Sequence, residues 1–367
     1  MSKITCILKV TAFLLTALFV FSACSGSPAR RAASRQPAWV DNPETVYPRH
    51  LYISRVGYGS NRTAAERDAL AKLVAFFGQS VQAEMHSISI YSEAVKRGAL
   101  QITENISIQN AITTSAEMNT LVGAEIADVW FDNAGTYYAV AIMERERTSA
   151  LYAQLIRANA RFIENLINIS QQDRISLEAF SSLQLAATIA DANRVYANVL
   201  AMLTGETPLL MQFRWGIDTS ELHSGEELRL EAAAIARNMP IGISITGDHT
   251  EQTTERIRDA FSRAISTAGL RSGGENTRYV LNINYSISQV ELPGQQNVFV
   301  RYQINSRLED TAAGNSVLFT YEVSGRDGHL TLHEAEQRVI RTAEARIVRE
   351  FEERLTSYLA SMTSLRN

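Results

Sequence analysis

Two cysteines stand in 367 residues, Cys6 and Cys24, and both fall within the first 24. A fold stapled by disulfides is thereby excluded, because nothing beyond Cys24 has a thiol to pair. Oxidising compartments usually invite disulfides, but a chain of this length buries enough apolar surface to do without them. Charge of either sign is also modest: Lys and Arg number 35 against 39 Asp and Glu, a formal net charge of −4. A mildly acidic chain lacks the basic surface that a phosphate backbone requires, so nucleic acid is not an expected partner. No apolar run after residue 24 reaches the ~20 residues needed to span a bilayer. Catalytic signatures are missing as well. There is no Gly-x-Ser-x-Gly elbow, no His-Glu-x-x-His and no cysteine past residue 24 to serve as nucleophile. We therefore expect no enzyme, no cofactor and no metal site.

What is present begins with Met1 to Cys24. Met-Ser-Lys opens the stretch, an apolar core occupies 10–21, and Phe21-Ser22-Ala23-Cys24 closes it. A basic start, a short apolar core and small residues at the cut mark a secretory leader. The closing residues resemble a bacterial lipoprotein signal, in the relaxed form typical of spirochaetes, with Phe21 where Leu is usual. The resemblance implies cleavage before Cys24 and attachment of lipid, palmitate included, to that cysteine. The plain alternative is an ordinary secretory leader with a chance cysteine. Ser25 takes the place of the Asp that retains such proteins at the inner membrane, so the outer membrane is expected, with the body facing the periplasm. Losing 1–23 removes Lys3 and Lys9 and no acid, which leaves a net charge of about −6.

Residues 24–36 are small and polar and read as a flexible tether. Arg30, Arg31 and Arg35 are placed to touch anionic headgroups; the plain reading is a solubilised spacer. Residues 37–146 form a first α+β domain. Its strand at 51–56 is followed by Gly57-Tyr-Gly59. Thr63-Ala-Ala-Glu66 then reads as a capping box, opening a helix that buries Leu70, Leu73, Val74, Phe77 and Val81. The stretch 85–91 alternates like a strand, and 102–121 reads equally as helix or strand. Strands at 124–131 and 136–143 are joined by Asp132-Asn-Ala-Gly135, a hairpin signal. Pro37-Ala-Trp39-Val, Tyr52-Ile-Ser-Arg-Val-Gly57-Tyr-Gly59, Ala64-Ala-Glu66-Arg-Asp-Ala69, Val129-Trp130-Phe-Asp and Tyr137-Tyr138-Ala-Val140 together resemble the LPP20 lipoprotein family. That resemblance covers 37–145. It implies an envelope lipoprotein with an interaction or scaffolding role, flagellar in some members, and brings no catalytic residue with it.

Residues 147–205 read as a helical hairpin, with helices at 147–169 and 176–203. A strand is expected at 209–219, and Ser224-Gly-Glu-Glu227 caps a helix to about 236. The C-terminal α+β domain completes 206–367. A strand at 241–246 precedes a helix carrying Ile257, Phe261, Ala264, Ile265 and Ala268 on one face. Three alternating strands follow, burying Tyr279 to Ile287, Val298 to Leu308 and Val317 to Val323 on one side, as an antiparallel meander does. Thr331-Leu-His-Glu334 caps a last helix whose Val339, Ala343, Ile347, Phe351, Leu355 and Leu359 cover the sheet. This order is similar to small periplasmic modules of the TolB N-terminal type. The fold class is thus α+β: two strand–helix–strands–helix modules, each an antiparallel sheet packed on helices, joined by the hairpin. The shared order invites an internal repeat between 51–169 and 240–360, which requires equal strand orders. The nearly uncharged strand at 317–323 either offers an edge to a partner strand or is covered by 241–246 or 209–219; covering is favoured.

Three groups are weighed for chemistry. Gly57-Tyr-Gly59-Ser-Asn-Arg62 follows a strand and opens a helix, as a phosphate cradle would, but lacks a third glycine; a tight turn is the plainer reading. His329 and His333, with Asp327 nearby, lie four apart, yet the cap at Thr331 keeps them off a common helical face. Trp130, Tyr137 and Tyr138 form either a binding patch or, more simply, an alternating core. The expected function is that of a lipid-anchored envelope protein acting through protein partners. The alternative is a periplasmic small-ligand or peptidoglycan-binding module.

Overall fold

The computed structural model describes residues 35–78, 89–93, 112, 115, 120–274, 276–293 and 295–363. Cys24, its leader, Arg30, Arg31, Val81 and most of 85–121 lie outside them. Within 85–91, residues 89–91 are helical and not part of a strand. Two compact units emerge.

The smaller unit takes in the described residues up to Arg49, together with Ser54–Lys72 and Glu125–Ile142. One helical turn, Ala38–Asp41, precedes strand β1 (Tyr52–Gly59), helix α1 (Arg62–Phe76), β2 (Glu125–Phe131) and β3 (Tyr137–Glu144). The sheet runs β1-β3-β2, with β2 and β3 antiparallel. Their expected turn forms. Asp132 N–H donates to the Thr136 carbonyl at 3.0 Å, and Gly135 sits at φ 89°, a backbone conformation that glycine adopts without strain. The cap of α1 differs from the expected Thr63 box. Asn61 supplies it, its side-chain oxygen accepting from Ala64 N–H at 2.9 Å. An N-cap side chain reaches the N–H two or three places on, and Asn61 is three before Ala64. Trp39 is buried and its indole N–H donates to Asp128 of β2 at 2.9 Å.

The larger unit holds α2 (Arg145–Ile167) and α3 (Leu177–Thr204). Ser176 caps α3 by accepting from Ala179 N–H at 3.0 Å, and Gly205 ends it at φ 67°. α3 is more than the arm of a connecting hairpin. It is buried on nearly every side, with α2, α5 (Gly225–Asn238) and the C-terminal helix all packed on it. Its alanines make room for them. A Cβ on Gly225 would stand 2.8 Å from the Ala187 carbonyl oxygen. A buried polar chain ties the α2–α3 interface: Tyr91 hydroxyl to Asn159 at 2.7 Å, Asn159 to Asn193 at 2.9 Å, Asn193 to the Ile156 carbonyl at 3.1 Å.

The strand expected at 209–219 does not form. Pro208–Trp215 is a helix, α4. Proline at the first helical position loses no hydrogen bond and brings a helical φ, and Gly216 closes the helix at φ 66°. Leu209, Leu210 and Phe213 already carry the helical spacing that β-propensity obscures.

The rest of the unit is β4 (Ile241–Gly247), α6 (Glu251–Thr267), β5 (Tyr279–Val290), β6 (Val298–Asp310), β7 (Ser316–His329), α7 (Leu332–Arg346) and α8 (Glu352–Thr363). The sheet order is β4-β5-β6-β7; β4 joins parallel to β5 and the others pair antiparallel. Helices α6, α7 and α8 cover one face. On that face Tyr279, Leu281, Ile283, Tyr285, Val300, Tyr302, Ile304, Leu308, Tyr321 and Val323 are buried. Val317 escapes burial because the ladder shifts register at Leu308/Glu309, beside it. The last helix is not one α-helix. A π turn, Ile347–Phe351, joins α7 to α8. The buried positions from Val339 to Leu359 recur every four residues, each 40° past a full α-helical turn, and the wider π turn takes up part of that drift. It sets Phe351 against Phe261 (centroids 4.8 Å apart) and against Phe319 and Tyr321 (5.5 Å each).

Both units are sheets packed on helices, so the α+β class holds. The repeat does not. β1 lies beside the last strand of its sheet, whereas β4 lies beside the next strand in sequence. The sheets also differ in strand number, three against four, so the shared strand–helix–strands opening reflects two separate ways of burying one sheet face.

Candidate interaction surface

β7 is an outer strand. β4 stands at the opposite edge and 209–219 is helix and coil, so neither covers β7. Among the described residues no strand pairs with its outer edge. This reverses the favoured expectation of a covered edge. The crossover through α6 is a strand–helix–strand unit, and such a unit lays its two strands side by side and parallel. That fixes β4 against β5.

The strand is 14 residues long, over twice the common five or six. About half of its backbone N–H and C=O groups face away from β6. Two of its carbonyls are occupied from α7. Arg346 donates to the Ser324 carbonyl at 2.8 Å, and Arg338 to that of Gly328 at 3.1 Å. Glu350 grips Arg346 at 2.9 Å, and the Tyr302 hydroxyl lies 3.2 Å from it. The Glu350 bonds hold the Arg346 guanidinium above its already high pKa. Guanidinium groups blunt an edge much as lysine does. The blunted part runs from Ser324 onward. Among the described residues no helix side chain bonds the backbone of 316–322.

The helix-free face of this sheet is polar and laid out in rows. Asn284, Asn305 and Glu322 are successive cross-strand partners, and so are Ser288, Arg301 and Arg326. Arg301 and Arg326 are thus directly opposed, an arrangement like charges disfavour. Both are exposed, and among the described residues neither has an acidic partner.

The other nominated residues separate. Gly57 and Gly59 are packing glycines. A Cβ on Gly57 would lie 2.1 Å from Ala69 N, and one on Gly59 2.7 Å from Ala64 Cβ. Tyr58 N–H, which a phosphate would need, donates to Asp68 at 2.9 Å, and Arg62 pairs with Glu66 at 2.7 Å. The turn therefore serves strand–helix contact. His329 ends β7 and His333 lies in the first turn of α7, behind the Thr331 cap. Among the described residues no three His, Cys, Asp or Glu side chains cluster as metal ligands would. Trp130 and Tyr138 pair across the strands at 5.4 Å, as do Phe131 and Tyr137 at 5.8 Å, all but Phe131 half-buried. They are neither a closed core nor a free patch. Cys24 is outside the described residues. Two features escaped the sequence reading. The arginine caps join residues 22 and 10 apart in sequence, and no local pattern announces them. The outward face of α4 has a signal in the spacing of Leu209, Leu210 and Phe213, which fits a helix and a strand alike.

No protein-family model matches the chain, and no curated protein does. The LPP20 resemblance therefore rests on the residues quoted above. Partial likenesses exist among solved structures. A minor lipoprotein of Acinetobacter baumannii matches at 15% identity over 33% of this chain and 92% of its own, with a TM-score of 0.25. A secreted protein of Helicobacter pylori matches at 12% over 81% and 98%, TM-score 0.38. PelC of Paraburkholderia phytofirmans, a dodecamer, matches at 14% over 35% and 88%, TM-score 0.22. At these scores the likenesses assign no family.

Proposed function

We propose that this chain is an envelope protein, tethered by lipid on Cys24 at the periplasmic side of the outer membrane, that acts by binding a protein partner and not by catalysis. The observation that supports it is the edge of β7 at 316–322, unpaired among the described residues and without the arginine bonds that occupy the Ser324 and Gly328 carbonyls further along. A partner adding a strand there gains main-chain hydrogen bonds, and the side chains of alternate residues then select it. Among the described residues no helix is long and apolar enough to cross a membrane, so the lipid is the proposed means of attachment. Thr320→Lys tests the edge, since Thr320 is exposed and β7 keeps its ladder to β6. The variant should fold normally and lose its cross-linked partner in a pull-down from intact cells. A full partner yield from Thr320→Lys removes the edge from consideration.

A second reading has its own observation, the opposed Arg301 and Arg326 on a face rich in amide and hydroxyl groups. An anionic, hydroxyl-bearing ligand such as a peptidoglycan strand relieves that repulsion and hydrogen-bonds the rows beside it. Sedimentation with purified peptidoglycan decides it. The parent chain should pellet and Arg301→Ser with Arg326→Ser should not; equal pelleting of the two counts against this reading.

A further inference from the structure

We propose that α4 rests on a phospholipid bilayer, with its outward face in the boundary between headgroups and acyl chains. Three side chains carry the inference. Leu209 is 74% exposed, Leu210 52% and Phe213 90%. At 3.6 residues per turn they share an arc of about 100°, and Met211 and Trp215 lie about 180° away. The helix therefore carries apolar side chains on two opposite sides, Met211 seated inward and these three turned to solvent.

This is not a frayed segment. Met211 is buried. The Trp215 indole N–H donates to Glu206 at 3.0 Å, and Arg157 donates to the Trp215 carbonyl. Arg214 bridges Glu206 at 2.9 Å and Glu146 at 3.0 Å. The inner side of α4 is thus fastened at several points, and Phe213 is held out from the surface by a seated element. Its neighbours at the rim, Gln212 and Arg214, are polar. Arg214 has its charge met by two glutamates, so a lipid surface meets no unpaired ion there.

Area selects lipid over protein. Three side chains offer a few hundred Å², whereas a stable protein interface needs ~800 Å² on each side. A bilayer asks for no complementary shape, only for apolar surface to bury, and insertion by an amphipathic helix scales with that surface. Burying one Leu or Phe completely is worth tenfold or more in partition. The proposal draws on the Cys24 reading only for why a bilayer is at hand. The contact itself needs no lipid anchor.

The test uses the full chain from residue 24 with Cys24→Ser, which has no anchor, spun down with vesicles of phosphatidylglycerol and phosphatidylethanolamine. It should cosediment in 0.5 M salt as well as at low salt, because the contact is apolar. Phe213→Ser and Leu209→Ser should each lower partition about tenfold with unchanged circular dichroism. A parent chain that stays in the supernatant, or a Phe213→Ser chain that binds equally, overturns the proposal. So does a dimer in light scattering that Phe213→Ser dissolves, which assigns the face to a second copy. Absence of lipid on Cys24 in cells leaves these results unchanged, so the two readings fail separately.

Discussion

At the scale of single residues, the strongest constraints are close approaches and buried charge. Gly57 lets α1 lie on β1 with no room for a methyl group, and what a Cβ would strike is backbone, at Ala69 N and Ala65 O. Backbone cannot rotate away as a side chain does, so Gly57→Ala should destabilise the chain by about 3 kcal/mol in urea unfolding; an unchanged midpoint contradicts this packing. Asp310 is held by Arg278, with contacts from 2.9 to 3.2 Å, and by Ala312 N–H at 3.0 Å. Burial pushes its carboxyl up, but these donors outweigh burial and leave it below the ordinary 3.8. A carboxyl depressed by folding contributes stability above its unfolded pKa and loses it as pH falls through the folded one. The parent should therefore unfold at higher urea than Asp310→Asn at pH 7, with the gap closing progressively below pH ~4. A gap that stays constant down to pH 2 would show that the carboxylate charge is irrelevant.

At the scale of elements, the helix placed in a connecting hairpin turned out to organise the larger unit. α3 tolerates neighbours on several sides because alanine fills its faces. Ala187 is fully buried, with the start of α5 against its turn. Enlarging it adds three carbons to a fully buried position. Ala187→Leu should cost about 2–3 kcal/mol, with the midpoint of urea unfolding lowered and its slope unchanged. A neutral substitution would mean that α5 can move aside. Helix α4 teaches the complementary lesson. Eight residues with several large apolar side chains satisfy helix and strand patterns alike. Pro208 and Gly216 were the better guide, because they state where a helix can begin and end.

At the scale of the whole molecule, the proposed attachment has most consequence. The lipid reading depends on a cysteine left at the N-terminus by cleavage. Cys24→Ala should move the protein from the detergent phase to the aqueous phase of a Triton X-114 extraction. Continued partition into detergent would sink the anchor. The two units share a class but neither strand number nor strand order, so nothing requires them to share a binding mode. The edge of β7 belongs to the larger unit, while all the residues that resemble LPP20 except Tyr52 and Ile53 belong to the smaller.

The sequence by itself determined what is settled within a few residues. The Asp132–Gly135 turn, the caps at Ser224 and Thr331, and the alternation in β5 and β6 are all local, because a cap or a pleat is satisfied by near neighbours. Even the π turn left a trace, in buried positions spaced by fours. Only tertiary structure decided which strand stands at the edge, that Arg338 and Arg346 blunt part of it, that Asn61 and not Thr63 caps α1, and that α4 faces outward. The first two join residues far apart in chain order, and the last two are outcomes of competition between nearly equal local choices. Burial elsewhere settles such contests, and burial is a property of the assembled chain.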